Sequence, residues 1–212
     1  MIIAIANQNG TASDRTVAHN LAVLRAGSGR KVLLIDTDPK KTSLAWSSER
    51  GAAGIWPGVP ARAITGRDLQ TELANLLLYY NDVMIDIEGR DMLDCRPALI
   101  AARLVIVPLW VDQVNLDREY NLISQLNSAR MFNPGLHVLF VIVGGQSDPS
   151  DDELAAIRAY VSCVMSATLA RTVIHQPAAS HLACRLGRCI CDGAGGRTVV
   201  EMNALYREVY GK

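Results

Sequence analysis

Short apolar runs alternate with longer amphipathic segments along most of the chain. The run IIAIA (2–6) is apolar throughout, and KVLLID (31–36) is apolar between its first and last residues. RTVAHNLAVLRAGSG (15–29) instead places its apolar side chains at helical spacing. Strands that are apolar throughout are buried on both faces, so the alternation predicts an α/β fold, a doubly wound, mostly parallel sheet with helices on both faces. The predicted strands cover 2–6, 31–36, 61–65, 82–87, 104–110, 136–143 and 170–174, and the predicted helices cover 15–29, 41–50, 67–80, 96–103, 116–132, 150–164 and 197–212.

Acidic residues mark the carboxyl ends of two of these strands. The second strand runs into Asp36-Thr37-Asp38-Pro39, and a later strand, DVMIDI, contains Asp86. In a parallel sheet these ends share one edge, which is where ligands bind. Carboxylates beside a phosphate-binding loop suit Mg²⁺ coordination and the positioning of water. Aspartate at a strand end also caps helices, and for Asp36 or Asp86 alone that alternative stays open.

Composition narrows the class of protein without naming its task. The chain has 212 residues, half of them apolar, and a formal net charge of zero, which predicts a single domain over 1–212 and excludes a disordered chain. No apolar run reaches the ~18 residues that a membrane span needs. Five cysteines, an odd number, do not form a disulfide framework. We therefore expect a cytoplasmic protein with no membrane span.

Four segments carry a resemblance to a known family: HNLAVLRAGSGRKVLLIDTDPKKTSLAW (19–46), YYNDVMIDIEG (79–89), ARLVIVPLWVDQVNLD (102–117) and TVIHQPAASHLACRLG (172–187). Together they resemble the ParA/MinD family of deviant-Walker P-loop ATPases, particularly small ParA-type partition proteins. The resemblance implies a DNA partition or positioning protein that uses ATP and Mg²⁺. It also implies non-specific DNA, a ParB-like or other adaptor and a homodimer as partners. The implied location is the cytoplasm, on the nucleoid if the protein binds DNA. Asp38 would activate water, and Asp36 and Asp86 would serve magnesium.

The phosphate-binding loop departs from the family pattern. Aligned on Asn20 and Asp36, Asn9 stands at the signature lysine, Asp14 at the phosphate-binding lysine and Arg15 at the magnesium-ligating threonine. Other departures are Lys40 for a glutamine, Asn115 for an aspartate, and Gly144-Gly145 where the family often offers adenine an asparagine. The nucleotide-binding positions that the resemblance implies are Asn9, Gly10, Thr11, Ala12, Ser13, Asp14, Arg15 and Thr16.

These substitutions oppose phosphate binding. Thr11 and Ser13 replace glycines that let successive N–H groups point at a phosphate. Lysine to aspartate replaces an attraction by a repulsion, each worth roughly 4 kcal/mol at ~4 Å and an effective dielectric of about 20. Arg15 could compensate in part, although it lies about 100° further round the helix than the lysine. We expect weak or absent ATP binding and hydrolysis, a pseudo-ATPase that could pair with an intact paralogue, and the question of enzyme activity stays open.

Two alternatives remain. The chain could be a functional ParA-type ATPase for plasmid or chromosome segregation with a non-standard loop. It could also be a metal or Fe–S binding relative, since HLACRLGRCIC holds His181, Cys184, Cys189 and Cys191, although cysteine is also a common small core residue. For DNA the candidates are arginines of the C-terminal part, which could equally be scattered solvated residues: Arg158, Arg171, Arg185, Arg188, Arg197 and Arg207.

Overall fold

In the part of the chain that the structure describes, seven parallel strands form one sheet. The structure is a computed structural model and describes residues 1–7, 15–88, 96–110, 120–145, 147–175, 186–193 and 195–211. The strands are β1 (Ile2–Asn7), β2 (Val32–Asp36), β3 (Ala61–Ala63), β4 (Asp82–Glu88), β5 (Leu104–Trp110), β6 (His137–Val143) and β7 (Ala167–Leu169). Their order in the sheet is β3-β2-β4-β1-β5-β6-β7, and every neighbouring pair is parallel.

Helices cover both faces of this sheet, as the sequence predicts. Strand side chains alternate between two apolar clusters, so that Ile3 and Ile5 pack on one side while Ala4 and Ala6 pack on the other. The helices are α1 (Arg15–Gly27), α2 (Thr42–Ala52), α3 (Gly66–Leu76), α4 (Arg96–Ala101), α5 (Tyr120–Phe132), α6 (Asp151–Ser162) and α7 (Arg197–Tyr210), and a short 3-10 turn covers Ile190–Asp192. The cluster around Ile3 and Ile5 includes side chains of α1, α2 and α7, and the cluster around Ala4 and Ala6 includes side chains of α3 to α6.

The prediction of the last strand is wrong in position. β7 pairs with β6 at Ala167–Leu169, and within the predicted range 170–174 only Ile174 makes a bridge, to Val143. The reason is a distant side chain. Glu208 of α7 accepts the backbone N–H of Arg171 and the hydroxyl of Thr172, so the middle of this stretch is bonded to a helix. Ala170 and Ile174 at its two ends still donate their N–H groups to β6. The predicted helix over 116–132 is confirmed from residue 120, and residues 116–119 lie outside the described ranges.

Local capping features are present at two helix ends. Ser150 caps α6 in a reciprocal pair with Glu153, so each satisfies a backbone N–H of the other. α1 ends at Gly27, and Gly29 follows with φ +82, a left-handed value that glycine adopts without strain. Within the described ranges, no helix has the length and apolar character needed to cross a bilayer.

Candidate functional site

The three predicted carboxylates meet at the carboxyl edge of the sheet. Asp36 ends β2 and is in register with Asp86 on β4, and Asp38 follows two residues later. Asp36 is 0% exposed, and Asp38 and Asp86 are each 3% exposed. Arg15, the first residue of α1, reaches the same place. The structure therefore brings together four of the predicted site residues, Asp36, Asp38, Asp86 and Arg15.

Asp36 holds the backbone of the turn between β2 and α2. Its Oδ1 accepts the N–H of Asp38 at 2.9 Å, and its Oδ2 accepts the N–H of Leu44 in the first turn of α2 at 2.8 Å. Burial raises the pKa of Asp36, and these N–H donors act against that rise. The capping role that the sequence left open is thus present at Asp36. Its predicted association with magnesium stays a prediction.

A guanidinium bridges the other two carboxylates. Arg15 Nη2 donates to Asp38 Oδ2 at 2.9 Å, and Arg15 Nε lies 3.9 Å from Asp86 Oδ2. Asp38 also accepts the N–H of Lys40 on Oδ1 and the hydroxyl of Thr42 on Oδ2. Asp38 is therefore bonded through both oxygens, to a cation, a backbone N–H and a hydroxyl.

Behind Asp86 lies a buried relay that the sequence analysis missed. Ser43 Oγ donates to Asp86 Oδ2 at 2.6 Å, and His19 Nε2 lies 2.8 Å from the same hydroxyl. Since the Ser43 hydroxyl hydrogen points at Asp86, its oxygen is left to accept, and His19 Nε2 carries the hydrogen that it donates to Ser43. His19 Nδ1 then has no hydrogen-bond partner among the described residues, and the ring stacks on Trp46 at 4.0 Å between centroids. The stretch HNLA and the Thr-Ser after Asp-Pro were visible in the sequence without showing that they meet.

Burial shifts both titratable ends of this relay. It lowers the pKa of His19 from 6.5 to about 3, and the positive charges of Arg15 and Arg50 act in the same direction. It raises the pKa of Asp86 from 3.8 to about 6, with the hydrogen bond from Ser43 opposing the shift. His19 is thus neutral at neutral pH, and Asp86 is the carboxylate that takes up a proton under mildly acidic conditions.

As they stand, these residues do not fit a bound magnesium ion. Mg²⁺ prefers oxygen ligands and is repelled by a neighbouring cation, and here a guanidinium already lies on Asp38 and beside Asp86. Both oxygens of Asp36 accept backbone N–H groups. In the part of the chain that the structure describes, no three His, Cys, Asp or Glu side chains are arranged to hold a metal ion.

Of the remaining predicted site residues, some lie outside the described ranges. These are Asn9, Gly10, Thr11, Ala12, Ser13 and Asp14 of the loop and His181 and Cys184 of the late cluster. Thr16 is buried in α1, and its carbonyl accepts the amide of Asn20. Cys189 and Cys191 carry free thiols whose pKa burial raises, so both thiols are protonated at neutral pH. The metal or Fe–S hypothesis for the late cluster stays a prediction.

The segment 186–193, which we call the C-terminal strap, is tied to α2. Arg50 is fully buried and donates from both terminal nitrogens to Asp192, at 2.8 Å each. Trp46 Nε1 donates to the carbonyl of Arg188. Gly187 has φ +71, and a Cβ there would lie 2.1 Å from the backbone nitrogen of Arg50, so only glycine permits this approach. The helix that supplies Ser43 to the carboxylates thus also anchors the strap.

At the end of β6, the predicted Gly144 meets an aromatic ring. Gly144 has φ +99, and a Cβ there would lie 2.2 Å from the ring of Trp110 at the end of β5. Trp110 and a side chain at position 144 therefore exclude each other. Gly144 has no side chain to offer to an adenine base, and the contact with the Trp110 ring explains why this position is a glycine.

The fold and the carboxylate edge together define a P-loop NTPase-like α/β protein, and comparisons with known proteins identify the family. The chain is 31% identical to the chromosome-partitioning ATPase Soj of Thermus thermophilus, over 66% of this chain and 68% of Soj. It therefore belongs to the ParA/MinD family of P-loop ATPases. No protein-family model matches the chain.

Solved structures share the fold at low sequence identity. The cell division ATPase MinD of Pyrococcus furiosus superposes with a TM-score of 0.71 at 20% identity, covering 99% of this chain and 98% of MinD. A putative plasmid partition protein of Borrelia burgdorferi, bound to AMPPNP, superposes with a TM-score of 0.68 at 16% identity, covering 99% of this chain and 97% of its own. The predicted doubly wound fold is confirmed.

Proposed function

We propose that this protein is a ParA-like DNA partition or positioning protein whose degenerate phosphate-binding loop leaves ATP binding and hydrolysis weak or absent. The observation that carries the proposal is the 2.9 Å ion pair between Arg15 and Asp38. Soj is named a chromosome-partitioning ATPase, and the Borrelia protein was solved with AMPPNP. This chain keeps their architecture but uses a permanent cation where a nucleotide-bound metal would be expected.

The hydrogen bonds that Asp38 already makes within the chain support weak or absent hydrolysis. A carboxylate that positions or activates water needs a free lone pair directed at that water. Asp38 accepts Arg15 and Thr42 on one oxygen and the Lys40 N–H on the other. Three of the roughly four acceptor positions of this carboxylate are thus taken by donors of the chain itself, which leaves little room for a water to be positioned. Asp14, with its negative charge in the loop, adds repulsion toward a phosphate.

Partners follow from the family and from exposed charge. Among the described residues, five of the arginines noted for DNA are exposed, and they are Arg158, Arg171, Arg188, Arg197 and Arg207. We propose that the protein binds DNA without sequence preference, which would place it on the nucleoid, and that it works with a ParB-like or other adaptor. A subunit with no nucleotide cycle would gain a switch by associating with an intact paralogue instead of only with itself.

Calorimetry with nucleotide-free protein tests the proposal. ATP and ADP, each with Mg²⁺, should give no binding heat at millimolar ligand, and phosphate release should not exceed the blank. A matched variant carries the family loop through Thr11→Gly, Ser13→Gly, Asp14→Lys and Arg15→Thr. It should bind nucleotide if the loop alone is defective. Micromolar binding by the wild-type protein would contradict the proposal.

A second candidate, an active ATPase with a non-standard loop, is supported by one observation. Asp36, Asp38 and Asp86 are all retained, and Arg15 contributes a positive charge at the amino end of α1, where a phosphate would bind. In this case Mg²⁺-dependent phosphate release would be measurable and would disappear in Asp38→Ala. Turnover with that dependence supports the second candidate against the first.

A further inference from the structure

The Arg15 guanidinium lies between two carboxylates of different strands. It donates to Asp38 Oδ2 at 2.9 Å, and its Nε lies 3.9 Å from Asp86 Oδ2. The side chains of Asp38 and Asp86 are only 3 and 4% exposed, and that of Arg15 is 15% exposed. Salt and water screen such a buried arrangement far less than a surface ion pair. One positive charge therefore compensates two neighbouring negative ones in a place that solvent barely reaches.

The same two oxygens are those that a divalent cation would use. Mg²⁺ and Mn²⁺ are usually held by one or two carboxylates, with water completing the shell. Both oxygens of Asp36 are bonded to backbone N–H groups, which cannot turn away. Asp38 Oδ2 and Asp86 Oδ2 face the guanidinium. They also accept the hydroxyls of Thr42 and Ser43, respectively, which can rotate. An arginine side chain remains charged at all physiological pH values and is covalently attached to α1, so it is not lost by dilution.

We propose that Arg15 is a tethered counter-cation that takes the place of a divalent metal ion, so that the protein closes its own metal site and removal of Arg15 opens that site. The inference rests on the proposed function in that it concerns the same carboxylates. It goes further by assigning one side chain as the determinant that makes the site independent of metal. It also predicts a gain of binding, which loss of a merely structural residue would not produce.

The test uses Mn²⁺ alone, added to nucleotide-free protein and followed by electron paramagnetic resonance of the free ion. Wild-type protein should show no saturable site up to millimolar Mn²⁺. Arg15→Ala and Arg15→Thr should each gain one Mn²⁺ site per chain, with an apparent Kd at least about tenfold below that millimolar limit. Arg15→Lys keeps the positive charge and should remain closed. Circular dichroism of each variant verifies the fold before titration.

Two control variants locate the gained site. Arg15→Ala combined with Asp38→Asn should lose it, because one of the two facing oxygens is no longer a carboxylate. Arg62→Ala removes an exposed arginine paired with Glu72 and should behave as wild type. Equal Mn²⁺ affinity of wild type and both Arg15 variants would overturn the inference, as would variants that gain no site or a gained site that survives Asp38→Asn.

The counter-cation inference and the proposed function can be refuted independently of each other. The Mn²⁺ experiment contains no nucleotide, so tight binding by wild-type protein would refute the counter-cation while leaving a pseudo-ATPase intact. Conversely, measurable Mg²⁺-ATP turnover would refute the proposed function. If Arg15 moves aside only when a triphosphate arrives, turnover would be accompanied by a wild-type protein that still binds no Mn²⁺ by itself.

Discussion

We expect His19→Gln to change how stability depends on pH in the mildly acidic range. Folded His19 has a pKa of about 3 against 6.5 in the unfolded chain, so in this range only the unfolded chain takes up that proton. Folded Asp86 has a pKa of about 6 against 3.8, so there only the folded chain takes up that proton. Acidification therefore favours unfolding through His19 and favours folding through Asp86.

The two effects are of equal size per pH unit and of opposite sign. Each contributes ~1.4 kcal/mol per pH unit where both operate, between about pH 4 and about pH 6. In the wild-type protein they cancel. Removing His19 leaves the Asp86 contribution alone, so the free energy of unfolding of His19→Gln should rise relative to wild type by roughly 3 kcal/mol across that window as pH falls. Loss of the stack on Trp46 adds a constant penalty of about 1 kcal/mol that does not depend on pH.

Urea unfolding followed by circular dichroism at several pH values measures this difference. Asp86→Asn is the matched control, because it removes the opposite contribution and should lose stability relative to wild type on acidification. Ser43 lies between the two side chains, so both variants disturb the same set of hydrogen bonds. They differ in which titratable group is lost, the imidazole or the carboxyl group. Parallel curves for His19→Gln and wild type would show that His19 titrates as a solvated residue, and the buried relay would be wrong.

Three further substitutions test the packing around the site, each by urea unfolding at neutral pH. Asp192→Ala leaves the fully buried Arg50 without its carboxylate and should cost ~3–5 kcal/mol, and a loss under about 1 kcal/mol would contradict the buried pair. Gly144→Ala drives a methyl group into Trp110 and should cost roughly 1–3 kcal/mol, whereas a neutral result would mean that the ring moves freely. Ser150→Ala removes a helix cap and should cost ~1 kcal/mol, and an unchanged midpoint would show that the cap is dispensable.

The sheet could be predicted from the sequence because its information is local. Each strand is a short apolar run followed by a helix, and parallel strands that alternate with helices permit few arrangements. The predicted position of β7 was wrong because the deciding contact is not local. Residues 170–174 have the composition of a strand, but Glu208, on a helix far along the chain, takes the hydrogen bonds of Arg171 and Thr172. No window around residue 170 contains that information.

The site divides in the same way. Asp36, Asp38 and Asp86 were predictable because strand ends meet at one edge. The helical-wheel argument placed Arg15 away from the position of the missing lysine, but it could not show that the side chain points at carboxylates. The strap was out of reach, since the Arg50–Asp192 pair joins residues 142 positions apart.

The substitutions in the loop and the arginine next to it have a common physical logic. Buried carboxylates require compensation, since an unpaired buried charge costs several kcal/mol. In a site that cycles through a metal and a nucleotide, the ligand supplies that compensation and the empty site is destabilised. Here Arg15 supplies it within the chain, so the carboxylate edge is compensated without any ligand. The same contact that stabilises the empty site removes the electrostatic reward for binding a metal ion. Under the proposed function, one residue, Arg15, would thus both stabilise the empty site and disfavour a metal ion there.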